Sequence, residues 1–207
     1  MKSFRIFSKL LSAFVLINLF ALLPKSLSAQ QTGTFSDPRD GRVYHWLREG
    51  KQTWMAENLK FVDTAGSWAY NNDDSVHVVK YGRLYNWKSA VKACPKGWHL
   101  PSEKEWNTLI AFLGTDVAGH TMQAMDTIGN SHPKGKIVDK QGFSSLLSGI
   151  RYPDGRFLNV TFWGGCWSST QVNDSTAVNL LFVRKSGSIG VSTNDKKAGF
   201  SVRCVKK

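Results

Sequence analysis

Five histidines (His45, His77, His99, His120, His132), three cysteines (Cys94, Cys166, Cys204) and a sparse set of carboxylates are the side chains here best suited to chemistry. Their spacing argues against most of it. No two histidines stand two or four apart and there is no HExxH, so no single element offers a ready imidazole pair to a metal. No Cys-x-x-Cys occurs, which removes zinc knuckles and thioredoxin-like exchange. Asn72-Asp73-Asp74 and Asn173-Asp174 gather oxygens. An EF-hand, however, needs alternating ligands closed by a Glu, so both runs read as solvated turns. Glu103 and Glu105 are two apart and face different directions on a helix, which is not a glycosidase-type pair. Gly-x-Ser-x-Gly and phosphate-loop motifs are absent. The sequence predicts a protein that is not an enzyme, with no metal and no cofactor. An enzyme with a metal or redox site built from scattered residues is the outlying alternative.

Aromatic surface is abundant instead. There are eight tryptophans: Trp46, Trp54, Trp68, Trp87, Trp98, Trp106, Trp163 and Trp167. An indole buries a large area and carries one N–H that needs a partner. Most lie on apolar faces and are expected in the core. Trp68, with Tyr70 in the polar loop 62–80, is the one expected to be exposed, where it would stack on a sugar ring or a partner or else pack as a lid. The loop-rich stretch 150–175 adds Tyr152, Asp154, Asn173 and Asp174, which complete the candidate ligand-binding set.

These side chains need elements to hold them. Asp40-Gly41 marks a turn, 42–47 a strand, 49–51 a turn and 52–56 the returning strand, which makes an N-terminal hairpin. Residues 85–94 have helical spacing, and Lys88, Lys92 and Lys96 recur every four residues on one side. Ser102 and Glu105 form a capping box, so a helix is predicted over 103–113 with Gly114 as its stop. A further short helix is expected at 117–125. Strands are expected at 143–147, 156–160, 163–169, 177–183, 188–192 and 199–205. Two early helices before a turn-rich antiparallel β half predict an α+β fold.

Residues 1–29 read as a signal peptide. Lys2, Arg5 and Lys9 precede a 14-residue, mostly apolar run from Leu10 to Leu23, and small residues around Ser28 and Ala29 offer the cleavage site. The run is shorter than the roughly 20 residues of a spanning helix. A secreted, periplasmic or cell-surface protein is therefore expected, with no transmembrane segment after cleavage. Residues 30–41 form a short lead and 42–207 one domain. The net charge is +12 for the whole chain, with 27 basic and 15 acidic residues. Four of the basic residues, and no acidic one, belong to the leader. An exported protein does not ordinarily meet cytosolic nucleic acid, so the basic surface points to an anionic glycan or envelope polymer. Its clearest cluster is Lys80, Arg83, Lys88, Lys92 and Lys96. In an oxidising compartment two of the three cysteines are expected to bridge, and three connectivities are open. Cys166, in Trp-Gly-Gly-Cys-Trp, reads as a buried strand thiol.

Several blocks in order resemble one family. Gln52-Thr53-Trp54-Met55-Ala56-Glu57-Asn58-Leu59, Tyr81-Gly82-Arg83-Leu84-Tyr85-Asn86-Trp87 and Cys94-Pro95-Lys96-Gly97-Trp98-His99-Leu100-Pro101-Ser102 are followed by Trp167-Ser168-Ser169-Thr170 and Gly199-Phe200-Ser201-Val202-Arg203-Cys204-Val205. Together they resemble the Fibrobacter succinogenes major paralogous domain over about 42–207. The resemblance implies an exported bacterial protein of the Bacteroidetes–Fibrobacter group. It also implies a C-type lectin-like fold of the kind shared by formylglycine-generating enzymes, in which an early helix cysteine bonds one on the last strand. Cys94 and Cys204 match those positions. With that pair engaged only Cys166 remains, so the two-cysteine oxidation chemistry of those enzymes is not expected. Tyr152-Pro153-Asp154 and Asn173-Asp174 depart from the loops of calcium-dependent lectins, so calcium is not implied either. The leading expectation is a secreted or cell-surface binding module whose ligand is a glycan or a surface protein. A structural or adhesive envelope component is the alternative.

Overall fold

The structure is a computed structural model that describes residues 30–74, 76–113, 147–183 and 188–207. The expected leader 1–29, the helix at 117–125, most of the strand at 143–147, and His120 and His132 lie outside the described residues.

Three sheets carry the described chain. Strands β1 (Thr32–Ser36), β2 (Val43–Glu49) and β3 (Gln52–Met55) form an antiparallel ribbon at the N-terminal end. The last strand, β13 (Val205–Lys206), pairs with β3, and β6 (Trp98–His99) pairs with β13, giving the order β1-β2-β3-β13-β6. The second sheet has the order β11-β10-β9-β12-β5-β4. Its long strands are β9 (Trp163–Gln171), β10 (Thr176–Val183) and β11 (Ser188–Asp195); the short ones are β4 (Ser67–Trp68), β5 (Leu84–Tyr85) and β12 (Phe200–Ser201). β12 runs parallel to β9, with Ser201 opposite Cys166. A small hairpin of β7 (Ile150–Arg151) and β8 (Phe157–Leu158) is the third sheet.

The helices are α1 (His77–Tyr81), α2 (Trp87–Ala93) and α3 (Glu103–Leu113). α3 begins where the capping box requires. The Ser102 N–H donates to Glu105 Oε2 (2.8 Å), and the Glu105 N–H donates back to Ser102 Oγ (3.3 Å). The Asn86 side chain caps α2 by accepting from the Ser89 N–H (2.8 Å).

The expected α+β, C-type lectin-like arrangement is overturned. The described residues are 40% strand against 19% helix, which is a β-rich fold in three sheets. The physical reason is that seven strands are only two residues long. Such segments have no periodicity of their own and exist because a distant strand pairs with them. The helices α1 and α2, at five and seven residues, are too short to outweigh them.

Two apolar clusters form the core. One joins Tyr44, Met55, Leu59, Tyr85, Trp167 and Phe200. The other joins Trp54, Trp106, Leu109, Leu180, Phe182 and Cys166. Trp54 and Trp106 lie 4.6 Å apart, and Trp167 meets Phe200 edge-on at 4.8 Å. Buried Trp167 donates from Nε1 to the Tyr85 carbonyl (2.7 Å), and half-buried Trp87 from Nε1 to the Ser168 carbonyl (2.8 Å). Gly165 admits no side chain, because a Cβ there would stand 2.6 Å from the Leu180 carbonyl oxygen and 2.8 Å from the Phe200 ring.

Candidate functional site

Among the described residues, one cleft combines aromatic faces with open polar groups. It lies on the face of the second sheet that the β7–β8 hairpin overhangs, and measures about 110 Å³. Ile150, Leu181, Ala198 and Phe200 line it with apolar surface. Tyr152 and Pro153 come from the hairpin, Trp163 from the start of β9, and Asn194 with Asp195 from the end of β11. A volume this small takes one face of a ring-sized group, not an extended cofactor.

The hairpin tip is fixed by its own hydrogen bonds. The Tyr152 N–H donates to the Arg156 carbonyl (2.8 Å), and the Gly155 N–H to the Tyr152 carbonyl (3.0 Å). Asp154 Oδ1 accepts from the Arg156 N–H (3.0 Å) and Oδ2 from Arg156 Nε (2.8 Å). The Arg156 hydrogen bond holds the Asp154 carboxyl below the usual range. Asp154 therefore braces the turn that presents Tyr152.

The opposite wall is oriented from beneath. Fully buried Asn179 donates from Nδ2 to the Leu180 carbonyl (3.3 Å), so its Oδ1 is the acceptor for Asn194 Nδ2 (2.7 Å). That leaves the Asn194 carbonyl oxygen open. Asp195 Oδ1 takes the Lys197 N–H (2.8 Å), and its second oxygen is open. Trp163 is 39% exposed, unlike the fully buried Trp54, Trp106 and Trp167. The approach to Trp163 is strained: Asn159 and Thr161 both have φ of +68°, and for a β-branched threonine this is an outlier.

Of the six residues singled out from the sequence, only Tyr152 lines this cleft. Trp68 is half-buried, with the Arg151 guanidinium 3.9 Å over its ring. Tyr70 is buried, 5.4 Å from Phe157 and 5.3 Å from His77. These two form a separate aromatic group behind the hairpin. Asn173 and Asp174 make the β9–β10 turn. Asn173 Oδ1 accepts from the N–H groups of Ser175 (2.9 Å) and Thr176 (2.8 Å), and Lys196 Nζ donates to the Asn173 (2.6 Å) and Asp174 (3.1 Å) carbonyls. Trp163, Asn194 and Asp195 were not singled out as ligand-binding residues. The signal for Asn194 and Asp195 was an Asn-Asp pair running into Lys196-Lys197 just past the expected strand 188–192.

Ser102, Glu105 and His99 have the composition of a hydrolytic triad without its geometry. Both Ser102 Oγ (2.8 Å) and His99 Nε2 (2.7 Å) bond to the Glu105 carboxylate, so the imidazole does not reach the hydroxyl. The group is structural. Burial pushes the Glu105 carboxyl up, but the hydrogen bonds from Ser102 and His99 outweigh it and hold the carboxyl below its ordinary range. Its stabilisation is therefore present above the unfolded carboxylate value of about 4.3 and is lost as pH falls through the folded value. Glu105→Gln is expected to cost about 1 kcal/mol at neutral pH and to flatten the acid limb of stability below about pH 5. Urea midpoints across pH check this; an acid limb as steep as in the parent protein contradicts it.

Cys94 and Cys204 are bonded, and Cys166 is free and buried. Among the described residues no helix is long and apolar enough to cross a membrane. Both facts are compatible with an extracytoplasmic protein. No three His, Cys, Asp or Glu side chains among the described residues converge on one point. A family model, that of the Fibrobacter succinogenes major domain, matches residues 47–206. No curated protein and no solved structure shows a match.

Proposed function

Because the chain belongs to the Fibrobacter succinogenes major domain family and carries the cleft described above, we propose that it is an exported glycan-binding module. The observation that carries the reading is Trp163, partly exposed beside Tyr152 over an apolar floor and edged by two open oxygen acceptors. The C–H face of a pyranose is apolar and its hydroxyls are donors. Aromatic faces suit the first, and the Asn194 and Asp195 oxygens suit the second. The leader-like residues 1–29 and the disulfide support a secreted or cell-surface setting.

Trp163→Ala is expected to weaken binding at least about tenfold, since it removes the stacking surface without opening the core. Titration calorimetry against neutral oligosaccharides picked from a glycan array measures it, with circular dichroism confirming the fold. Unchanged affinity in Trp163→Ala, or no glycan bound by the parent protein, overturns the reading.

A further inference from the structure

Part of the excess positive charge is gathered in one strip, while other lysines, such as Lys51, Lys104 and Lys197, are exposed elsewhere. Among the described residues Arg39, Arg42, Arg83 and Arg156 pair with Asp37, Asp40, Asp74 and Asp154. His45, His77 and His99 face Glu57, Asp73 and Glu105. Seven of the described carboxylates are thus taken up by arginine and histidine. Lys88, Lys92, Lys96, Lys206 and Lys207 are all exposed, and none stands within ion-pair distance of a described acid.

The fold brings these five lysines to one side. Lys88 and Lys92 stand about one turn apart on α2, while Ser89, Ala90 and Ala93 face the core. α2 packs against β6, and β6 pairs with β13 so that Trp98 stands opposite Lys206. Directly paired residues share a sheet face, so Lys206 projects on the side where Trp98 joins Ala90 and Ala93. The Lys207 N–H donates to the carbonyl of Gly97, the residue after Lys96 (3.0 Å). The Cys94–Cys204 bond clamps the end of α2 to the chain entering β13. Lys80 and Arg83, grouped with these lysines in the sequence, stand apart from the strip. Arg83 is buried against Asp74, and Lys80 lies 5.0 Å over the Tyr81 ring.

We propose that this strip is a second binding surface, for a linear polymer of acidic sugars. Lysines are compact charges on flexible stems, suited to spaced carboxylates rather than to the bidentate forks that arginine makes. The strip carries no exposed aromatic side chain on which a nucleobase would stack. Val91 is its one exposed large apolar residue, which is too little to enter a membrane interface. None of the five lysines lines the cleft, although Trp87 beside Lys88 donates its backbone N–H to the carbonyl of Lys196 (2.9 Å), next to the cleft's Asp195.

Retention of the purified protein on immobilised polygalacturonate tests this, with poly-L-glutamate and neutral dextran as the comparison polymers. Affinity for polygalacturonate should fall linearly with salt on a log–log plot. Lys88→Glu/Lys92→Glu/Lys96→Glu should lose at least about thirtyfold, and Lys206→Glu/Lys207→Glu about tenfold. A Lys51→Glu/Lys104→Glu control should stay near the parent value. Absence of retention, an equal loss in the control, or equal affinity for poly-L-glutamate overturns the proposal.

Discussion

Replacing Cys94 and Cys204 with alanine should lower the unfolding free energy by about 2–5 kcal/mol and Tm by about 10 °C. The bond spans a sequence separation of 110, so it removes a large amount of freedom from the unfolded chain. It also acts at a junction. Cys204 is fully buried, its carbonyl accepts from the Met55 N–H (3.0 Å), and it stands directly before β13, the strand that joins β3 to β6. Because the link acts largely on the unfolded state, the variant should expose more surface on unfolding and show a larger urea m-value. Urea titrations followed by tryptophan fluorescence measure both quantities. A loss below about 1 kcal/mol with an unchanged m-value would show that the bond does not limit the unfolded chain. Cys166 should not exchange into the pair. Burial pushes its thiol up to about 11, so little thiolate exists at neutral pH. A non-reducing peptide map should therefore contain the Cys94–Cys204 link and a free Cys166.

What could be read from the sequence was what local chemistry decides. The helix over 103–113 matches α3 because its start is set by side chains three residues apart. The N-terminal hairpin and the strands at 163–169 and 177–183 correspond to β2–β3, β9 and β10, because a punctuating turn and a short apolar run between turn residues are local features. Other elements had no such signal. β1 lies in the expected lead 30–41; its burial alternates, but Phe35 is its one large apolar residue, so its sequence carries little apolar pattern. α1 sits in the expected loop 62–80, five residues long and without a side-chain cap. The stretch 199–205 reads as one strand but is divided between two sheets, as β12 and β13. Extension is a local property, whereas the choice of partner depends on residues more than a hundred positions away. The cleft was hard to read for the same reason. Trp163 looks like its core neighbour Trp167, and only its place at the strand's first position, after a strained loop, leaves it part exposed. Trp68 sits among polar neighbours in the sequence, yet Arg151 from the distant β7 lies over it.

The same non-local pairing places a cation in the core, and its partner is the second site of large effect. Arg203 is fully buried. Its Nε (3.2 Å) and Nη2 (2.8 Å) both donate to Asn58 Oδ1. The Asn58 amide donates in turn to the Tyr81 carbonyl (3.0 Å) and to Ser201 Oγ (3.2 Å), and Ser201 Oγ meets Ser148 Oγ at 2.8 Å. One buried asparagine thus serves a guanidinium and fixes the turn before β5 and the strand β12. Asn58→Leu should cost about 3–5 kcal/mol, because it removes a guanidinium acceptor while leaving the charge buried. Arg203→Met removes the charge itself and keeps an apolar stem, so it should cost less. The double variant Asn58→Leu/Arg203→Met should be clearly more stable than the sum of the single losses predicts, with a coupling of about 1–3 kcal/mol. Urea unfolding of the four proteins closes the cycle. Additive losses would mean that the network's stability resides in the Tyr81 and Ser201 hydrogen bonds and not in the Asn58–Arg203 contact.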